Sequence, residues 1–295
     1  MARLPSTLSG NLNTMKWKAY WRLARMDKPI GTLLLLWPTL WALWLASHGH
    51  PHWDNLVVFI LGTWLMRSAG CVINDVADRR IDIHVKRTAL RPLATGEVST
   101  QEALLLTLAL SIMAFLLVLT RNTLTLSLSI PALFLAASYP FTKRFFPLPQ
   151  AYLGIAFGFG IPMAWAAETQ SVPELAWWLM SANLFWTLAY DTEYAMVDRD
   201  DDLHLGIHSS ALLFGNWEVR WIMLFYSITL CLLAYVGHQA HLNFIYKIGL
   251  GLAAGIALYH FFLIRNRDRN ACFRAFLHNN WFGGCLFAAI VLATQ

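Results

Sequence analysis

LAWWLMSANLFWTLA (residues 175–189) runs without a break into YDTEYAMVDRDDD (residues 190–202). The first stretch is built for lipid. The second places Asp191, Glu193, Asp198, Asp200, Asp201 and Asp202 within a few turns, in a chain that holds only 17 acids. The two together read as one helix that crosses a bilayer and ends in carboxylates at its surface. That reading decides the fold class and raises the question of what the acids do.

The rest of the composition agrees with a membrane protein. Of 295 residues, 57% are hydrophobic and 13% charged, with 14 tryptophans. Mean hydropathy is +0.48. A soluble domain carries about 25% charged residues. Length alone would allow two soluble domains, but hydropathy overrides that expectation. Residues 1–28 are polar and basic, so no cleaved leader is expected. Cys71, Cys231, Cys272 and Cys285 are scattered. They read as small buried side chains, neither a disulfide frame nor a metal site.

Apolar runs of spanning length predict an all-α bundle of nine transmembrane helices, at 30–48, 54–76, 101–120, 122–141, 149–167, 174–197, 215–237, 242–264 and 273–293. Residues 1–29 form a cytoplasmic segment and 30–295 a single transmembrane domain. Ser99 followed by Glu102 has the form of a capping box opening the third helix. Arg121-Asn122 reads as a tight turn joining the third and fourth. The basic residues test the count. With the N-terminus inside, 19 of the 22 fall on the cytoplasmic side, Arg121 and Lys247 fall opposite, and Arg67 lies within a span. Topology accounts for the formal charge of +5, so a nucleic-acid partner is not implied.

A second acidic cluster, NDVADRRID, ends the second span with Asn74, Asp75, Asp78 and Asp82. Both clusters fall on the predicted cytoplasmic face. Asp75, Asp78 and Asp82 recur at i, i+3, i+7, and Asp191, Asp198 and Asp202 at i, i+7, i+11 with Tyr194 between. Each set makes one stripe on a helix, where like charges repel. A carboxylate at membrane depth costs about 2.5–3.5 kcal/mol on insertion scales. Protons or a cation must compensate. Hard oxygen ligands suit Mg²⁺, which takes one or two carboxylates and fills its shell with water and substrate phosphate. The plainer reading, interfacial loop residues, fits Asp200 and Asp201 best, since they lie off the stripe.

Basic residues accompany the acids. Arg67 lies seven residues before Asn74 on the same face, Tyr139 and Lys143 form an i, i+4 pair, and Lys86, Arg87 and Arg91 follow the first cluster. Carboxylates for metal beside Arg and Lys for oxyanions describe a magnesium–diphosphate site. His48, His50 and His52 fall in an outer loop and read as a solvated turn.

Asn74-Asp75-x-x-Asp78-x-x-x-Asp82 and Asp191-x-x-Tyr194-Ala195-x-x-Asp198-x-x-x-Asp202 resemble the paired motifs of the intramembrane aromatic prenyltransferases. The stretches RMDKPIGTLLLLWPTLWALW, WLMRSAGCVINDVADRRIDIHVKRTALRPLATG and AYDTEYAMVDRDDDLHLGIHSSALLFG resemble the bacterial 4-hydroxybenzoate branch of that family, which serves ubiquinone synthesis. The resemblance implies nine helices around a central cavity under cytoplasmic cap loops, in a bacterial inner membrane. It implies Mg²⁺, a polyprenyl diphosphate donor (octaprenyl the expected length) and 4-hydroxybenzoate as acceptor. Asn74, Asp75, Asp78, Asp191, Asp198 and Asp202 would hold metal, with Asp191 and Asp75 at the chemistry and Asp82 and Tyr194 in support. Arg67, Lys86, Arg87, Arg91, Tyr139 and Lys143 would contact diphosphate, and Arg25 the acceptor carboxylate. A transporter would place its charges nearer the midplane, in broken helices. A phosphotransferase acting on nucleotide-linked alcohols would join its acids in one continuous run.

Reporter fusions after residues 96 and 206 are both expected to read as cytoplasmic. A periplasmic signal at either point breaks the nine-span topology, because the two acidic clusters must share a face.

Overall fold

The computed structural model describes residues 16–83, 88–142 and 144–295, with the backbone alone at Ile81. All regular structure among them is helical. In chain order the helices are α1 (residues 16–23), α2 (Ile30–Ala46), α3 (Trp53–Asp82), α4 (Thr100–Val118), α5 (Thr123–Thr142), α6 (Pro149–Gly158), α7 (Gly160–Thr169), α8 (Glu174–Leu205), α9 (Ser210–Phe214), α10 (Glu218–Gln239), α11 (Phe244–Ile264) and α12 (Arg269–Ala293).

Helix covers every apolar run expected to span, but not always in spanning form. Among the described residues six helices are long and apolar enough to cross a membrane: Trp53–Arg80, Thr100–Val118, Thr123–Thr142, Ser210–Gln239, Phe244–Ile264 and Arg269–Ala293. Helix α2 is shorter, with 17 residues, and α8, which holds the run at 174–197, is long but is not among the six. The run at 149–167 is two helices of 10 residues each, meeting at Phe159. The cause is local. Pro162 has no amide hydrogen and its ring opposes the Gly158 carbonyl, which interrupts the helical bonding one turn before it.

The chain groups into two compact units, one of residues up to Pro29 with Trp64–Leu116, the other of Ile30–Thr63 with Leu117–Gln295. In the smaller unit, Ala19, Leu23 and Ala24 bury against Val72, Val98 and Ala103. The capping box is present. The Ser99 amide donates to Glu102 Oε2 at 2.8 Å, and the Glu102 amide to Ser99 Oγ at 3.2 Å. The other oxygen of Glu102 accepts from Lys16 Nζ and, at 3.0 Å, from the Tyr20 hydroxyl. The cap that starts α4 thus also ties down α1. Helix α1 ends at Arg25 in the left-handed region, φ 55. The Arg25 amide bonds the Arg22 carbonyl and the Met26 amide the Trp21 carbonyl. This is the Schellman closure, whose left-handed position usually holds glycine.

In the larger unit α8 is the central element, packed by α2, α6, α7, α10 and α12. Gly154 and Gly158, four residues apart on α6, bring that helix close to α8. A Cβ on them would meet Leu184 Cδ1 at 2.7 Å and Met180 Cγ at 3.0 Å. Small residues allow this close approach where lipid supplies no hydrophobic drive. Trp41, Trp186, Tyr226 and Phe282 fill the core. Trp41 Nε1 donates to the Gly283 carbonyl at 3.1 Å and Trp186 Nε1 to Asn279 Oδ1 at 2.8 Å. Between α4 and α5, Arg121 binds Asp54 at 2.6 Å, and Asn122 Oδ1 caps α5 through the Thr125 amide at 2.9 Å. Ile130, Phe134, Leu252 and Trp281 are exposed, as lipid-facing side chains are.

Close packing at α11 gives a test. A Cβ on Gly249 would lie 2.2 Å from Ala289 Cβ, whereas one on Gly251 meets nothing within 4 Å. Gly249→Val is expected to cost about 1–3 kcal/mol by overpacking, and Gly251→Ala to be neutral. Thermal unfolding in detergent separates them; equal midpoints would refute the packing.

Candidate active site

On α3, successive residues turn by about 100°. Taking Asn74 as zero, Arg67 lies at about 20°, Asp78 at about 40°, Asp82 at about 80° and Asp75 at about 100°. The stripe therefore has two edges. Asp75 is 2% exposed. Arg25 Nη2 donates to both its oxygens, at 2.8 and 3.0 Å. Arg91 Nη1 donates to Asp75 Oδ1 at 2.9 Å and to Asp82 Oδ2 at 2.8 Å. Asp82 also receives, on its carbonyl, the Thr88 hydroxyl at 2.8 Å. Arg91 is positioned by a compact turn in which the Thr95 amide returns to the Arg91 carbonyl and Val98 is buried. On the opposite edge, Asn74 Oδ1 is buried without a hydrogen-bond partner among the described residues. Arg67 is half-buried on that edge. The two arginines expected to meet substrate, Arg25 and Arg91, thus both sit on Asp75, which was expected to hold metal.

The second cluster lies on the C-terminal half of α8. Helix continues through every motif acid and stops only at Gly206, whose φ is 65 and whose amide bonds the Asp202 carbonyl. Asp191, Asp198 and Asp202 are half-buried. Tyr194 packs its ring on Phe276, centroids 4.6 Å apart. Arg269 Nη2 donates to Asp201 Oδ2 at 2.7 Å and lies 3.6 Å from Asp198 Oδ1. Glu218, fully buried at the start of α10, accepts from Arg267 Nε at 2.6 Å and lies 3.4 Å from Arg199 Nη1. These pairs fix the motif end of α8 to α10 and α12. Asp201 serves this clamp, and Asp200 is exposed.

Sequence reading missed what lies behind the stripe. Glu193, counted with the cluster, turns about 200° from Asp191 and is fully buried. It accepts from Tyr226 OH at 3.0 Å and Asn279 Nδ2 at 2.8 Å. Tyr226 meets His260 Nδ1 at 2.8 Å, and His260 Nε2 meets His278 at 3.1 Å. Single polar residues inside apolar runs were the available signal. Asn183 Nδ2 and Thr187 Oγ1 also continue the α8 stripe inward, buried without partners among the described residues.

Lys86, Arg87 and Lys143 lie outside the described residues. Tyr139 is half-buried near the end of α5, its carbonyl accepting from Thr142 Oγ1 at 2.7 Å. Among the described residues no three His, Cys, Asp or Glu side chains converge on one metal position. A cage of protein carboxylates is not what Mg²⁺ requires, since it keeps water and substrate phosphate in its shell. The donors that fit it are hard oxygens, and the buried, unpartnered Asn74 Oδ1 is one of them.

The sequence profile of the UbiA prenyltransferase family matches residues 35–288. A 4-hydroxybenzoate octaprenyltransferase of Methylobacillus flagellatus is 62% identical over 276 residues, 94% of this chain and 93% of the relative. One of the same description from an Azoarcus species is 62% identical over 92% of this chain and 95% of its own length. Among solved structures, a UbiA homolog from Aeropyrum pernix K1 superposes with a TM-score of 0.78 at 26% identity, covering 89% of this chain and 98% of that one. A homolog from Archaeoglobus fulgidus, bound to GPP and Mg²⁺, gives 0.72 at 20% identity, covering 92% and 99%, and shares the fold.

His52, in the histidine run between α2 and α3, is a sharp electrostatic probe. Its Nδ1 lies 2.6 Å from Glu168 Oε2. The hydrogen bond and charge of Glu168 raise its pKa above 6.5. Its contribution to stability is therefore complete below about pH 6.5 and lost as pH rises through the raised folded value. An NMR titration is expected to place His52 above its ordinary value, and Glu168→Gln to return it there. An unshifted His52 in the parent protein would refute the pair.

Proposed function

Because the chain belongs to the UbiA prenyltransferase family, we propose that it transfers an octaprenyl group from its diphosphate to carbon 3 of 4-hydroxybenzoate, releasing diphosphate. It is a multi-pass membrane protein and a prenyltransferase. Relatives near 60% identity over more than nine-tenths of the chain, all described as 4-hydroxybenzoate octaprenyltransferases, carry this reading. It includes nine crossings of a bacterial inner membrane by one domain, residues 30–295, with residues 1–29 and both acidic motifs on the cytoplasmic side.

Asn74 and Asp78 on α3, with Asp191, Asp198 and Asp202 on α8, would hold Mg²⁺, and Asp75 was assigned with them on sequence. When bound, the metal supplies positive charge against the leaving diphosphate. Arg67, Lys86, Arg87, Lys143 and Tyr139 are the diphosphate contacts of this reading. The allylic C–O bond breaks with its electron pair leaving on diphosphate. Ring carbon 3, activated by the phenol ortho to it, gives its π electrons to the allylic carbon. The displaced ring proton goes to a base, for which Asp191 is the candidate. Asp82 and Tyr194 support the motif helices. Apolar walls keep out water, which would otherwise trap the cation as a prenol.

The experiment is an assay in membranes with labelled 4-hydroxybenzoate and octaprenyl diphosphate. A 3-octaprenyl product is expected, abolished by chelation and restored by Mg²⁺. Asp191→Ala is expected to lose about a hundredfold or more, the scale of a lost acid–base group. Failure of the intact enzyme to prenylate 4-hydroxybenzoate with any donor length overturns the acceptor. Full turnover after exhaustive chelation overturns the metal.

A further inference from the structure

Resting on the metal reading above, we propose that Asp75 is not a metal ligand but a positioning residue, whose carboxylate holds Arg25 and Arg91 for an anionic group of a substrate. A carboxylate offers about four acceptor sites. Three are filled at Asp75: Oδ1 takes Arg25 Nη2 and Arg91 Nη1, and Oδ2 takes Arg25 Nη2 again. Two guanidinium charges pressed on one carboxylate also oppose the approach of a divalent cation.

Helical phase separates Asn74 from Asp75. Asp75 and Asp82 share one edge of the α3 stripe, and Arg91 Nη1 spans both. Asn74 lies on the other edge, about 100° from Asp75, with Asp78 midway between Asn74 and Asp82, and Asn74 Oδ1 is buried without a hydrogen-bond partner among the described residues. The metal donors of the first motif are then Asn74 and Asp78. Arg91 meets both acids through a single nitrogen, and a guanidinium carries five N–H donors, so a group held this way still has a face for an oxyanion.

Arg25 adds an independent observation. Its φ of 55 puts it in the left-handed position of the closure that ends α1. Non-glycine residues take the same left-handed φ at His48, Gln170, His241 and Arg267, so the closure needs no glycine here and fixes where the Arg25 side chain starts. That side chain reaches the Arg22 carbonyl at 2.9 Å and Asp75 at 2.8 Å. The end of α1 thus presents the guanidinium to a residue 50 positions away in sequence.

The test is direct Mn²⁺ binding to the full-length protein in detergent, by electron paramagnetic resonance, with kinetics beside it. Asp75→Asn alone weakens Mn²⁺, because it leaves two guanidinium charges uncompensated. If Asp75 only holds arginines, adding Arg91→Gln removes the surplus charge, and the double variant binds Mn²⁺ within about threefold of the parent. Asp78→Asn, with or without Arg91→Gln, stays about tenfold or more weaker, the scale of a lost charged contact. An Asp75→Asn/Arg91→Gln variant as weak as Asp78→Asn overturns the proposal and makes Asp75 a ligand. Unchanged Mn²⁺ affinity in Asp78→Asn overturns instead the metal reading on which the proposal rests. In kinetics, Asp75→Asn and Arg25→Gly, the latter keeping the helix closure, are expected to raise one KM about tenfold with a much smaller change in kcat. A raised KM for the prenyl diphosphate identifies the oxyanion as diphosphate; a raised KM for 4-hydroxybenzoate identifies it as the carboxylate. Neither KM moving overturns the proposal.

Discussion

A polar or charged group taken out of water must be met by other protein groups, and the described structure is arranged around that requirement. Glu193 is met by Tyr226 and Asn279, which draw α10 and α12 onto α8. Asp75 is met by Arg25 and Arg91, which draw the end of α1 and the turn after α3 onto α3. Glu218 is met by Arg199 and Arg267. In lipid, apolar side chains gain little by touching one another rather than the bilayer. The polar pairs therefore select which helix faces meet, and glycines such as Gly154, Gly158 and Gly249 let them meet closely.

The same requirement operates along α8, which joins an apolar stretch to the acidic motif in one helix. Its N-terminal half is held by Gly154, Gly158 and the Trp186–Asn279 bond, its C-terminal half by Arg269 and the Glu218 pairs. Arg269 bonds Asp201 and lies 3.6 Å from Asp198 of the stripe, so the motif acids are themselves tied into the packing of this end.

What the sequence made legible was local. The Ser99–Glu102 box has its meaning within one turn, and the structure contains it. The apolar runs located every long helix, because composition alone distinguishes lipid-facing segments. The break at Phe159 was passed over because the run AFGFGIPMAW (residues 156–165) remains apolar throughout; only the proline's effect on the Gly158 carbonyl divides it. Pairings across distance were not legible. Arg25 and Asp75 are 50 residues apart, and Glu193 and Asn279 are 86. Proximity of Glu193 to Asp191 in sequence suggested one cluster, whereas helical phase puts them on different sides. Of the sites read from sequence, residue types and spacing were accessible, and division of labour within each stripe was not.

The length of α8 has a consequence for where its acids reside. Its 32 residues at about 1.5 Å each make a rod of about 48 Å. The hydrocarbon layer is only about 30 Å thick. Were Glu174 at one boundary, the rod would meet the other about 20 residues on, near Tyr194, with Asp198 about 6 Å and Asp202 about 12 Å beyond it. A lipid with an apolar tail and a multiply charged head partitions across that same boundary. The helix would then act as a depth gauge. Tail and head of such a molecule come to rest opposite the stretches that suit them before any specific contact forms, and a search in three dimensions is reduced to one in the plane of the membrane.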